Sequence, residues 1–401
     1  MAVAGSDSGL LVPLSLADEE ALFREARRLR RRRWIRRTGV MVAVACVGSA
    51  TIVLALSGGA RTPRSGGETA GVLPNGPFES LKLAGAVAVA PDGAVYVAAG
   101  GMPGFTTTKA DRVLVRLPDG RFRVVAGNGH HGFSGDGGQA VDAELSDVSD
   151  ITFAPNGTMY IADGHRVRIV SLDGVIRTIA GNGRAIRDII AGTPAGERLI
   201  ANGTPALAAP LGFVNPLYIA LDPRSGQLFI STGAGQILRL TRNGRLDTVR
   251  AIVPSGIGKG PFMGDGPLAI DKQGNIDITG GPRGWSAWQI APDGIATYLG
   301  FARMPGGDNP IVQPGPNGAI YVGIDRVHND RLVLDHTLES STNETINGQY
   351  FPNAYFAFAP NGTLYVDDLP GGTGWEPHQQ LRAISHGRAT LLWQEPNHVP
   401  K

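Results

Sequence analysis

Oxygen-bearing side chains recur at one kind of place along this chain. Asp147 and Asp150, Asn215, Asp265, Asn309 and Asn353 each stand at the entry to an apolar stretch that returns through the sequence. If those stretches are the inner strands of a ring, the residues gather at one mouth of a central channel. Carboxylate and carboxamide oxygens there suit a divalent cation such as Ca²⁺, Mg²⁺ or Zn²⁺. Asp147, Asp150, Asn215 and Asp265 are the candidate metal ligands, and the competing reading is that they hydrogen-bond the channel wall.

Other residues with chemical potential read more simply. Gly135-Asp136-Gly137-Gly138 frees backbone N–H groups and offers one hard oxygen, but no helix with a lysine follows it and the spacing of acids differs from an EF-hand, so a structural loop is expected. Asp163 ends one apolar run and Arg166 and Arg168 begin the next, an arrangement expected to stitch two strands. His130 and His131 are adjacent and the other six histidines are scattered without a helical HExxH pair, so sequence alone gives no zinc site. The sequons at Asn156 and Asn361 fall in Asn-Gly-Thr turns and are expected to be turns first. No nucleophile–base constellation or cofactor motif is visible.

The elements that must position these residues come from a repeat. Six stretches share an apolar run, a turn containing Gly, and a second apolar run: 87–99, 151–163, 219–232, 268–280, 310–324 and 356–368. Asp-Gly and Asn-Gly turns between β-rich runs specify hairpins. A second hairpin follows at 112–127, 165–181, 235–249, 285–300 and 381–393, with a degenerate counterpart near 331–340. Two hairpins make a four-stranded blade, and six blades make an all-β propeller over residues 72–401. The spacing between Tyr96, Tyr160 and Phe229 exceeds the later spacings, which places long insertions ahead of the second and third blades. Residues 72–83 are expected to supply a strand that latches the first blade to the sixth.

Ahead of the propeller, residues 38–56 run nineteen positions without a charge, close to the roughly 20 needed to span hydrocarbon as a helix. Nine of the fourteen residues 24–37 are arginine, whereas the other flank is sparsely charged. The positive-inside rule then predicts a single-pass transmembrane helix with residues 1–37 a basic, helical cytoplasmic segment, 57–71 a flexible linker and the propeller outside. A cleaved signal peptide and lipidation of Cys46 are the rival readings. Cys46 is the sole cysteine, so the propeller cannot be cross-linked by a disulfide. With the N-terminal arginines set aside the remainder is nearly neutral, which excludes a nucleic-acid binder.

Residues 126–145 (AGNGHHGFSGDGGQAVDAEL) followed by 151–183 (ITFAPNGTMYIADGHRVRIVSLDGVIRTIAGNG) resemble an extended bacterial NHL repeat. That resemblance implies a six-bladed β-propeller of the NHL type. Phe213-Val214-Asn215-Pro216 is similar to the same family's entry to an inner strand. Phe262 to Asp271 (FMGDGPLAID) is similar to the Asp-Gly segment of gluconolactonase-like propellers, which implies Asp265 as a metal ligand. Two functions are therefore expected. One is an extracytoplasmic binding platform for a protein, glycan or cell-wall ligand, and the other is a metal-dependent lactonase or lyase working in the channel.

Overall fold

The computed structural model describes residues 83–99, 111–184, 200–211, 217–232, 235–253, 266–280, 286–301, 311–323, 325–329, 331–334, 353–369, 380–385 and 388–394. All of them fall in one compact unit, Glu68–Lys401. The expected cytoplasmic segment, membrane span and linker, and residues 72–82 of the expected latch, lie outside the described residues. Among the described residues no helix is long and apolar enough to cross a membrane.

Six antiparallel sheets follow one another along the chain. Blade 1 comprises β1 (Leu83–Val89), β2 (Val95–Ala99), β3 (Arg112–Arg116) and β4 (Phe122–Ala126), and blade 2 comprises β5 (Val148–Phe153), β6 (Met159–Asp163), β7 (Arg166–Val170) and β8 (Ile176–Ala180). Blade 3 contains the short β9 (Thr204–Pro205), then β10 (Tyr218–Leu221), β11 (Leu228–Thr232), β12 (Gln236–Leu240) and β13 (Arg245–Thr248). Blade 4 is β14 (Leu268–Ile270), β15 (Ile276–Thr279), β16 (Ser286–Ile290) and β17 (Ala296–Phe301). Blade 5 is β18 (Val312–Pro314), β19 (Ile320–Val322), β20 (Asp325–His328) and β21 (Arg331–Leu334). Blade 6 is β22 (Asn353–Phe358), β23 (Leu364–Leu369), β24 (Gln380–Ser385) and β25 (Arg388–Gln394).

The hairpins form where the turn chemistry demands them. In the first hairpins of blades 1, 2 and 6, Gly93, Gly157 and Gly362 adopt positive φ and each donates its amide to the residue three back. The preceding Asp92, Asn156 or Asn361 accepts the amide two residues on, at 3.0 Å in all three. Asn156 and Asn361 thus act as turn formers, as expected of those sequons.

First strands of successive blades touch all round the ring, from β1 through β5, β10, β14, β18 and β22 back to β1. They enclose a channel of about 570 Å³ lined by all six blades. Between each pair of neighbouring blades lies one apolar core. Its members include residues with no exposed surface, such as Ile161, Ile230 and Val322. Each such aliphatic side chain contributes about 1.5–3 kcal/mol by leaving water. The marker aromatic on a blade's second strand packs against the residue that ends the next blade's first strand. Tyr96 meets Phe153 and Tyr321 meets Phe358, both with ring centroids 4.6 Å apart.

Blade 4 breaks this rule with Asp277. It is fully buried, Gln289 donates to its Oδ1 at 2.9 Å, and its Oδ2 has no hydrogen-bond partner among the described residues. Burial, reinforced by the nearby Asp271, lifts its carboxyl from 3.8 to about 8.

Two expectations need correction. Blade 3 has five strands, because β9 adds to the outer edge of β13. The outer hairpin of blade 5 is formed by 325–334 rather than 331–340, turning at Asn329 with φ +48°.

The long intervals are also explained. Residues leaving blade 1 run along β8 of blade 2, where Gly137 donates to Ile176, Ile176 to Gly138 and Ala140 to Gly174. Residues leaving blade 2 do the same to β13 through β9, and Ile252 does so to β17. Each strap satisfies an outer strand that would otherwise be an open edge.

A buried acid whose folded value is raised binds its proton more tightly in the native state, so stability falls as pH climbs from about 4 to about 8. The unfolding midpoint of residues 68–401 should therefore drop over that range, and Asp277→Asn should flatten the drop. Denaturant titrations at pH 5, 7 and 9 check this, and an identical slope in the variant would refute it.

Candidate functional site

Asp150 lies in β5 on the channel wall, and its oxygens are already engaged. Oδ1 accepts the amide of Ile151 and Oδ2 accepts that of Ile219 in blade 3, both at 2.8 Å. Beside it, Ser149 Oγ donates to the Leu217 carbonyl at 2.8 Å. Burial raises the Asp150 carboxyl to about 7 while the two amides pull it back. This residue joins blade 2 to blade 3. Asn215 and Asp265 lie outside the described residues.

Asp147, three residues earlier, has a different setting. It takes a left-handed backbone, φ +50°, just before β5. Its amide donates to Oδ1 of Asp111 at 3.2 Å, while Asp111 Oδ2 meets Nδ1 of His131 at 2.6 Å. One ligand atom each from Asp111, His131 and Asp147 can be chosen so that all three lie within 4.8 Å of one another. Asp111 is buried, and His131 and Asp147 are exposed. Burial pushes the Asp111 carboxyl up, against the pull of the His131 hydrogen bond, and the same bond raises the His131 imidazole.

Three separate segments converge here: the entry to β3, the strap, and the entry to β5. The strap is anchored at its start by Gly127-Asn128-Gly129, and the same geometry recurs one blade later. Gly127 donates to the Ala140 carbonyl and Asn128 to that of Ala143, as Gly181 does to Ala206 and Asn182 to Ala209. Gly127 and Gly181 both have positive φ, and a β-carbon at either would run into the backbone beside Asp111 or His165. Sequence reasoning identified the first copy of this motif and passed over the second, Asn202 to Leu211, whose Thr-Pro-Ala-Leu-Ala-Ala parallels Gly-Gln-Ala-Val-Asp-Ala at 138–143.

Behind the cluster stands Arg168, which has no exposed surface. Nη1 donates to the Glu144 carbonyl at 2.9 Å and to Asp163 Oδ2 at 3.2 Å. Nη2 donates to the Ser134 carbonyl at 2.7 Å and to Asp136 Oδ1 at 2.9 Å. Asp136 Oδ1 also accepts the Thr178 amide, so Gly-Asp-Gly-Gly is a structural loop pinned to blade 2. Asp163 accepts the Ser146 amide at 2.5 Å. Burial lifts its carboxyl to about 6, with the Ser146 amide and Arg168 opposing. The expected stitch is therefore Asp163 with Arg168, and it fastens the strap as well as the blade. Arg166 instead lies over the Phe133 ring, 3.5 Å from its centroid, with Phe133 itself 41% exposed.

Of the four candidate ligands, then, Asp147 joins a cluster and Asp150 is committed to backbone. Sequence reasoning missed Asp111 as Asp147's neighbour, because its only signal is a carboxylate immediately before a second-hairpin strand. His131 was visible as a residue, but only folding of the strap brings it to the two aspartates.

Six radial sheets closed around a channel define a six-bladed β-propeller. Its repeat is of the NHL kind, residues 116–195 matching the family model of the Teneurin NHL domain, and the chain is an NHL-repeat propeller protein. Teneurin-1 from Homo sapiens and from Mus musculus are each 24% identical over 291 residues, 63% of this chain. The chain spans about 10% of the length of those relatives. Among solved structures, virginiamycin B lyase from Staphylococcus aureus is 12% identical with a TM-score of 0.44, covering 81% of this chain and 86% of that one. A protein named as a gluconolactonase is 17% identical with a TM-score of 0.34, covering 59% and 70%.

Removing Arg168 would strand two carboxylates and open the strap. Arg168→Ala should cost about 3–5 kcal/mol, as expected for breaking a buried charge network. Arg166→Ala, which loses a partly exposed cation–π contact, should cost about 0.5–1 kcal/mol. Equilibrium urea unfolding of residues 68–401 measures both, and equal costs would refute the distinction.

Proposed function

We propose that this chain is a single-pass protein of the cell membrane, with residues 1–37 cytoplasmic and the propeller outside, acting as a platform for a protein, glycan or cell-envelope ligand. The observation that carries the platform reading is the surface over the first strap. There a half-exposed aromatic, Phe133, sits under the Arg166 guanidinium, two residues along the strap from the exposed His131. An aromatic body with charged groups around it is the composition of interface anchors. Buried Arg168 holds the segment beneath it in place, so little ordering remains for binding to cost. NHL propellers commonly serve as protein-interaction platforms, which agrees with this reading. The membrane part rests on the charge-free stretch 38–56 and the arginines before it.

Protease added to intact spheroplasts expressing the full chain should remove a tag placed after Lys401 and spare one placed before Met1. Survival of both tags would overturn the topology. Soluble 68–401 should bind isolated cell envelopes saturably, with affinity reduced about tenfold or more by Phe133→Ala, the loss of a roughly 1.4 kcal/mol contact. Absence of saturable binding would overturn the platform.

A further inference from the structure

We infer that Asp111, His131 and Asp147 form a Zn²⁺ site at the junction of blades 1 and 2, with coordination positions left open to solvent. The three side chains reach the same spot from three segments, their ligand atoms within 4.8 Å of one another. Zinc holds nitrogen and oxygen ligands at about 2.0–2.2 Å in tetrahedral array, so two donors on one ion lie about 3.3–3.6 Å apart. Exposed His131 and Asp147 need to shift by about 1 Å to meet that spacing, side chains at the surface being free to do so. Asp111 is the fixed member: it is buried, and the Asp147 amide holds Oδ1 so that Oδ2 is presented to His131. The ion takes the place of the proton that lies between His131 Nδ1 and Asp111 Oδ2.

The charge also matches. Two carboxylates with a neutral imidazole carry −2, whereas the neighbouring Asp163 is separately paired with Arg168. An imidazole in the donor set selects zinc over Ca²⁺ and Mg²⁺, which prefer all-oxygen cages. Three protein ligands leave a fourth position for water or an oxygen of an incoming ligand, the pattern of an open rather than a closed zinc site. Because the ligands come from blade 1, the strap and the entry to blade 2, the ion ties the first blade interface together.

The test uses the purified full-length chain in detergent, stripped with chelator, dialysed, and titrated with ZnCl₂ against a chromophoric chelator. One equivalent should bind and raise the thermal midpoint. His131→Ala and Asp147→Asn should each weaken binding by more than the roughly 10–100-fold that loss of an outer-shell partner costs. His130→Ala, next door, should leave it unchanged. Both ligand variants alter exposed side chains, and two of them guard against one variant perturbing the fold. Co²⁺ should give a visible d–d absorption in the parent that both variants lose. No binding to the parent, or equal affinity in parent, His131→Ala and Asp147→Asn, would overturn the site, and displacement of Zn²⁺ by equimolar Ca²⁺ would overturn the choice of ion.

Discussion

Each blade in this propeller is a thin sheet that is apolar on both faces, and it becomes stable only when a neighbour covers each face. The decisive contact is the seat of a second-strand aromatic against the end of the next blade's first strand. Tyr96 on Phe153 and Tyr321 on Phe358 show it directly. Tyr160, Phe229 and Tyr365 share cores with Leu221, Ile270 and Val89 in the same relation. The last of these closes the ring, blade 6 against blade 1. With no cysteine beyond residue 46, that closure rests on packing and hydrogen bonds alone. Asp277 marks the one blade in which a carboxyl stands where the others place a ring, and its raised proton affinity follows from the same burial that stabilises them.

The repeat was legible because it is written in residues whose effect is local. Asp-Gly and Asn-Gly turns set their own hairpins, and alternating apolar residues set the faces. What escaped notice depends on distant partners. β9 is two residues long and exists only because β13 offers an edge, so no propensity marks it. The straps read as insertions because their residues pair with a sheet that has not yet been made when they are met in sequence. Asp147 and Asp150 look alike on paper, yet a left-handed residue before the strand and an extended one within it point to different surroundings.

Those two fates bear on function. The channel's described acid, Asp150, gives both oxygens to backbone amides across a blade boundary, and so its role in the molecule is mechanical. Among the described residues, the clustered groups that offer ligand atoms lie outside the channel, where the first strap crosses between blades. Arg168, hidden beneath them, converts a glycine-rich loop into a fixed support by four donated hydrogen bonds. Rigidity at the surface is thus supplied from below by a charge that solvent does not reach.

The straps have a consequence for how such a molecule can be copied. A geometric blade ends at its fourth strand, but the segment that shields that strand is encoded before the blade's first strand, as 127–145 precedes β5. The stretch of chain that carries a complete, self-shielding sheet is therefore out of phase with the visible petal, running from one Gly-Asn-Gly to the next. A tandem duplication cut at that boundary, 127 to 180, would deliver a sheet together with its own cover, whereas one cut at the petal boundary would leave an edge bare. Genetic material for new blades should therefore be exchanged in strap-first units.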